Sequence, residues 1–178
     1  IKVRCDEVVT FLQNHGSNLQ ASEGLATPLH FAARHNPEQI PDLLKRGANP
    51  NAYDDKRRTP LYWAMWGENP ENMVLAIRFL VEGGADIEWN NSDKETPFIY
   101  ALKNPLVPAE VVDSIVRLGA DIKTKNRYGT TPLHFAAKHS LGPEKILVLL
   151  SHGADSENIP DRAGKNPKDY LAERALFP

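Results

Sequence analysis

The sequence predicts an all-α fold, a solenoid of helix-turn-helix repeats joined by β-hairpin-like loops, and three observations predict it. Laid on itself, the chain repeats Thr27-Pro28-Leu29-His30-Phe31-Ala32-Ala33 as Thr59-Pro60-Leu61-Tyr62-Trp63-Ala64-Met65, Thr96-Pro97-Phe98-Ile99-Tyr100-Ala101-Leu102 and Thr131-Pro132-Leu133-His134-Phe135-Ala136-Ala137, with a decayed copy from Asn166 to Ala172. A second marker runs out of phase with the first: Gly16-Ser17-Asn18, Gly47-Ala48-Asn49, Gly84-Ala85-Asp86, Gly119-Ala120-Asp121 and Gly153-Ala154-Asp155. Between the markers lie apolar residues at helical spacing.

Each element follows from local chemistry. The motif threonine caps a first helix, and proline sits at the first helical position, where its missing N–H costs nothing. Paired alanines let that helix pack closely. Glycine ends the second helix because a left-handed residue without Cβ carries no steric penalty. From each such glycine to the next threonine the interval is eleven or twelve residues, so the hairpin connector is nearly fixed. From threonine to the next glycine it runs twenty, twenty-five, twenty-three and twenty-two. All length variation therefore falls in the helical halves, at a joint marked by Asn36-Pro37, Asn69-Pro70, Asn104-Pro105 with Pro108, and Gly142-Pro143. Proline there restarts the second helix. The second-helix apolar stripe is read as Leu43, Leu44, Phe79, Leu80, Ile115, Val116, Leu118, Leu147, Leu149 and Leu150.

These markers resemble the ankyrin-repeat family, whose unit of about 33 residues opens on T-P-L-H and stops on G-A-D. The resemblance runs over essentially the whole chain. It implies a single array over residues 1–178: a partial repeat at 1–21 holding only a second helix (Asp6 to Gln13), whole repeats at 22–52, 53–89, 90–123 and 124–157, and a C-terminal cap at 158–178 whose last helix is polar. It also implies that His30 and His134 are structural, bonding neighbouring backbone. Departures from the family are Arg57 and Lys94, where a tip glycine is usual, and Tyr62 and Ile99 in place of the motif histidine.

Composition excludes several classes. With 178 residues, 41% of them hydrophobic, the chain is large enough to bury a continuous core. A net charge of −2 supplies no basic field for nucleic acid. No apolar run reaches the ~20 residues that cross a bilayer, so no membrane insertion is expected. One cysteine, Cys5, forms no internal disulfide and favours a reducing, intracellular setting, cytoplasmic or nuclear, whether in the producing cell or, for a bacterial effector, in a host cytosol. There is no H-E-x-x-H, no G-x-S-x-G, no phosphate-cradling loop and no C-x-x-C. No catalytic residue, metal ligand or cofactor is therefore assigned, and the charged run Asp54-Asp55-Lys56-Arg57-Arg58 is read as a solvated hairpin tip.

The resemblance implies instead that hairpin tips and the open side of each first helix form one concave groove for a partner protein or linear peptide, the array itself being a monomer. Tip positions counted from the motif threonine give Asp55, Arg58, Glu95, Arg127 and Tyr128, and the slot seven after it gives Arg34, Trp66, Lys103 and Lys138. Trp63 and Tyr100 belong to a column of aromatics with Phe31, Phe135 and Tyr170, and Trp89 completes a window holding all three tryptophans. Exposed indoles are typical binding anchors, and with Glu95 or Asp93 beside them they also suit a cation. A partner-binding module is the expected function, with Trp66 as its anchor in a solvent-facing slot. The alternative is the targeting or substrate-selecting arm of a larger enzyme or effector.

Overall fold

The structure, a computed structural model, describes residues 26–93, 95–126, 128–139, 143–155 and 159–176, with side chains described to residue 173. The helix expected from Asp6 to Gln13 lies outside them. The described residues hold nine α-helices and no strand. The chain divides between Pro97 and Phe98 into two compact units.

The first unit contains α1 (Pro28–His35), a 3-10 turn (Pro37–Gln39), α2 (Ile40–Lys45), α3 (Pro60–Ala64) and α4 (Pro70–Glu82). Helix α1 packs on α3 and α4, and α4 packs also on α2 and α3. Leu29, Ile40, Leu43, Leu61, Ile77 and Leu80 are fully buried between them, and Ala32, Ala33, Ala64 and Ala76 allow the close approach. In the second unit α5 (Pro97–Lys103) and α6 (Ala109–Arg117) precede α7 (Pro132–His139), α8 (Glu144–Ser151) and α9 (Pro167–Leu176). There α9 packs on α7, and α8 packs on both α6 and α7. Phe98, Leu102, Val111, Ile115, Leu133 and Leu149 form that core.

Helix starts and stops follow the expected chemistry except at Thr59, whose side chain makes no capping bond to α3. Thr27 caps α1 through a reciprocal pair: its hydroxyl accepts from His30 N–H (3.4 Å), and its own N–H donates to His30 Nδ1 (3.0 Å). Asn69 caps α4, accepting from Asn72 N–H at 2.8 Å, and Pro70 takes the first helical position. Gly47, Gly84, Gly119 and Gly153 all lie at positive φ, between 86° and 105°. At each stop the following alanine N–H reaches back to close the helix, as in Ala48 to Leu43 O (3.0 Å) and Ala85 to Leu80 O (2.9 Å).

Two expectations about burial are corrected. Leu147 and Leu150 are 59% and 39% exposed, because Ile146 to Leu150 is apolar right round α8 while the helix buries only the side carrying Lys145, Ile146 and Leu149. A lysine thus occupies a core-facing slot, for a reason visible only in three dimensions. Lys145 Nζ donates to Ala101 O (2.7 Å) and Asn104 O (2.6 Å), carbonyls at the end of α5. Burial pulls its ammonium down to about 8.

Candidate functional site

The hairpin tips are built four times from one device. An Asp or Asn five residues before the first motif residue, Thr or in the last copy Asn166, folds the turn by accepting two backbone N–H groups on a single side-chain oxygen. Asp54 Oδ1 takes Lys56 and Arg58 N–H (2.9 Å each) and Asn91 Oδ1 takes Asp93 and Glu95 N–H (2.9 and 3.0 Å). Asn126 Oδ1 takes Tyr128 and Thr130 (2.9 and 3.0 Å), and Asp161 Oδ1 takes Ala163 and Lys165 (2.8 and 3.1 Å). Neighbouring tips are joined within each unit by one backbone bond, Ser92 N–H to Lys56 O (3.1 Å) and Arg162 N–H to Tyr128 O (2.9 Å).

Where the tip residue is aspartate, the second carboxylate oxygen finds a further use. Asp54 Oδ2 accepts from Arg58 Nε (2.8 Å) and Trp63 Nε1 (3.0 Å), with Arg58 Nη2 at 2.6 Å. Burial alone raises the Asp54 carboxyl, but the Arg58 side-chain and backbone donors, the indole and Lys56 N–H outweigh it and hold the group below the usual carboxylate range. Only 3% of Asp54 is exposed, which corrects the expectation of a solvated charge run. In the second unit Tyr170 OH donates to Asp161 Oδ2 (2.6 Å); that bond lowers the carboxyl and lifts the phenol to about 12.

Around Asp54 the structure gathers several of the expected site residues. Trp63 lies edge-on to His30 and Phe31 (5.4 and 5.3 Å between centroids) and tilted against Trp66 (5.6 Å). The Arg58 guanidinium carbon stands 4.7 Å and that of Arg34 5.8 Å from the Trp66 ring centre. Trp66 is therefore half-buried under two cations of its own chain, not open to solvent as its slot implied. Asp55 is exposed and touches this group only through Arg58, at 4.0 Å.

Trp89 stands apart from that pair. It stacks on Tyr53 (5.7 Å, 25°), and its Nε1 donates to Arg57 O at 2.9 Å. The Arg57 guanidinium carbon lies 5.1 Å from Tyr53 and 5.2 Å from Trp89. The chain's own arginines thus take the place that an external cation was expected to fill. Glu95 enters chiefly through its backbone, because its carbonyl accepts the Tyr62 hydroxyl, which also donates to Trp89 O (3.0 Å).

That last contact shows what Tyr62 does in place of the motif histidine. His30 Nε2–H donates to Arg58 O (3.0 Å), and His134 Nε2–H to Lys165 O (3.1 Å), in each case the carbonyl just before the next motif's first residue. Glu95 O is the same carbonyl one repeat on. Tyr62 makes the histidine's inter-repeat bond with a longer arm, fully buried, and burial pushes its phenol well up.

In the second unit, Lys165 and Lys138 approach the Tyr170 ring (5.2 and 6.0 Å), and Lys165 also pairs with Glu173 (2.6 Å). Lys138 is exposed, Lys103 half-buried, and Tyr128 49% exposed. Tyr100 is half-buried, its hydroxyl 3.5 Å from Asn104 Nδ2. Arg127 lies outside the described residues. Among those described, no group of three or more His, Cys, Asp or Glu is placed to hold a metal ion. No helix there is long and apolar enough to cross a membrane.

Comparison with known proteins agrees with this geometry. A family model for ankyrin repeats in three copies matches residues 71–161, and a single ankyrin-repeat model matches residues 25–55. Ankyrin repeat and SOCS box protein 6 of Homo sapiens is 33% identical over 103 residues, 52% of this chain and 23% of that protein. Palmitoyltransferase AKR1 of Kluyveromyces lactis is 30% identical over 96 residues, again 52% of this chain and 13% of the relative. The chain thus spans less than a quarter of either relative. The repeated caps, glycine stops and inter-repeat histidine bonds, together with a family match across residues 71–161, carry one conclusion: the chain belongs to the ankyrin-repeat family.

Proposed function

We propose that this chain binds a partner protein or linear peptide through its hairpin tips and first helices, with Trp66 as the anchor of the binding face. Ankyrin repeats are interaction modules without catalysis of their own. One observation carries the choice of Trp66: its indole is packed between Trp63 and two guanidinium groups, and Arg34 Nε there is buried without a hydrogen-bond acceptor among the described residues. A buried donor left unpaired is costly, and a partner segment that draws Arg34 off the Trp66 ring exposes that donor to an acceptor and relieves the cost. Trp63, Trp89, Arg58, Asp55 and Glu95 support the face in the first unit. Tyr100, Lys103, Arg127, Tyr128 and Lys138 extend the reading to the second.

The test is capture of partners on immobilised protein, followed by titration of the recovered partner against wild type and Trp66→Ala. A loss of at least tenfold in affinity with the fold retained is expected. Equal affinity for the folded variant removes Trp66 from the face. A second reading, a targeting or substrate-selecting arm within a larger protein, is favoured by the partial matches to a palmitoyltransferase and a SOCS box protein. It differs only in what the captured partner is: a substrate of a linked activity rather than a stable companion.

A further inference from the structure

We propose that Arg57 is a recognition residue whose guanidinium, at the tip of the hairpin 53–58, takes a carboxylate from an acidic segment of the partner. This rests on the binding reading above and names the partner's chemistry. The first observation is conformational. Arg57 has φ +56° and is the only non-glycine at positive φ among the described residues, while two of the three equivalent tips carry Gly129 (φ +75°) and Gly164 (φ +77°), the third having Lys94 in sequence. A left-handed residue with a Cβ is strained, and glycine would make the same turn without strain. The turn itself does not call for arginine.

The second observation is what the strained backbone presents. The guanidinium rests against Tyr53 and Trp89, stacked on one another, and the Trp89 indole N–H holds the Arg57 carbonyl. Contact with the rings restrains the side chain and leaves its N–H edge for a planar, bidentate acceptor. The third is charge. Among the described residues no carboxylate lies in ion-pair range of Arg57, although Arg58 is held by Asp54 and Arg117 by Asp113. Of the two tip acids, Asp54 is consumed by Arg58 while Asp55 is exposed, 4.0 Å from Arg58, so the tip offers outward two basic side chains, Lys56 and Arg57, against one carboxylate. An acidic peptide complements that tip, and a carboxylate matches the fork of one guanidinium.

The experiment is selection of a displayed random dodecapeptide library on the whole chain, with affinities of the enriched peptides measured by fluorescence anisotropy. Enrichment of Asp and Glu is expected, with at least tenfold weaker binding to Arg57→Gly and a smaller loss for Arg57→Lys, which keeps charge but not the fork. Arg57→Gly relieves the backbone, so its melting temperature is expected to hold or rise, which separates lost recognition from lost fold. Peptides without acidic excess, or acidic peptides that bind Arg57→Gly as tightly as wild type, overturn the proposal. If phosphoserine versions bind and their glutamate counterparts do not, the carboxylate assignment is overturned. Binders that ignore Arg57→Gly but weaken on Trp66→Ala sink Arg57 and leave the binding face standing; a library that yields no binder sinks both.

Discussion

His30 shows how much a single side chain carries in this fold. Its Nδ1 accepts from Thr27 N–H, so the ring is neutral with its proton on Nε2, which donates to Arg58 O. Burial pulls its proton affinity down to about 4 from the ordinary 6.5, against the opposing effect of the Arg58 bond. The unfolded chain therefore takes up this proton first as pH falls. His30 contributes its full stability above about pH 6.5 and loses it progressively toward pH 4, to an extent of about 3 kcal/mol. Urea unfolding of wild type should show this acid loss between those values, and His30→Gln should flatten it at some cost in stability at pH 7. The same slope in both proteins would mean that other groups carry the acid sensitivity. The structural role of this histidine was legible in the sequence, because the resemblance of its motif to the ankyrin repeat implied a backbone partner. Asp54 was not. Its neighbours in sequence are charged and polar, and only the return of Trp63 and Arg58 onto one oxygen makes it a buried acceptor.

At the scale of elements, starts and stops were read from threonine, proline and glycine because capping is local chemistry, satisfied within a few residues. What linked one repeat to the next was harder to read. Tyr62 replaces the motif histidine and still reaches the equivalent carbonyl, Glu95 O, but a phenol carries no ring nitrogen for the motif threonine, and Thr59 Oγ1 is left buried without a partner among the described residues. Tyr62→Phe removes the buried hydroxyl shared by Trp89 O and Glu95 O, the latter keeping only Asn91 N–H (3.1 Å), and should cost about 1–2 kcal/mol, lowering the melting temperature by several degrees. Tyr62→His should recover part of that loss by supplying an imidazole to Thr59. A Phe variant as stable as wild type would show that the inter-repeat bond is replaceable by water. Lys145 was illegible for a related reason. A lysine inside an aliphatic run reads as the helix's polar edge, whereas here it closes the carbonyl end of α5 from forty-one residues beyond Asn104.

Over the whole molecule, the face proposed for binding and the residues that hold the fold can be separated by mutation. All three tryptophans lie in the unit ending at Pro97, while Leu149 is fully buried in the unit beginning at Phe98. The aliphatic run around Leu149 announced a core helix but not which of its leucines face inward. Composition does not encode the direction of a helix that is apolar all round, and Leu147 and Leu150 turned out exposed. Leu149→Ala removes a core side chain and leaves a cavity, which costs about 2–5 kcal/mol and should appear as an earlier loss of helical circular dichroism on heating. Trp66→Ala removes a half-buried ring from beside Trp63 and Arg58, which stay joined to one another through Asp54 without it. Its stability cost should therefore stay near 1 kcal/mol, within the range of ordinary substitutions, while its affinity cost is at least tenfold. The two variants measured side by side give opposite patterns if Trp66 belongs to the binding face: Leu149→Ala melts early but binds normally below its transition, and Trp66→Ala melts near wild type but binds poorly. If Trp66→Ala instead melts as early as Leu149→Ala and its folded fraction binds with wild-type affinity, the indole is a packing residue shared by α1 and α3, and the anchor must be sought at the hairpin tips.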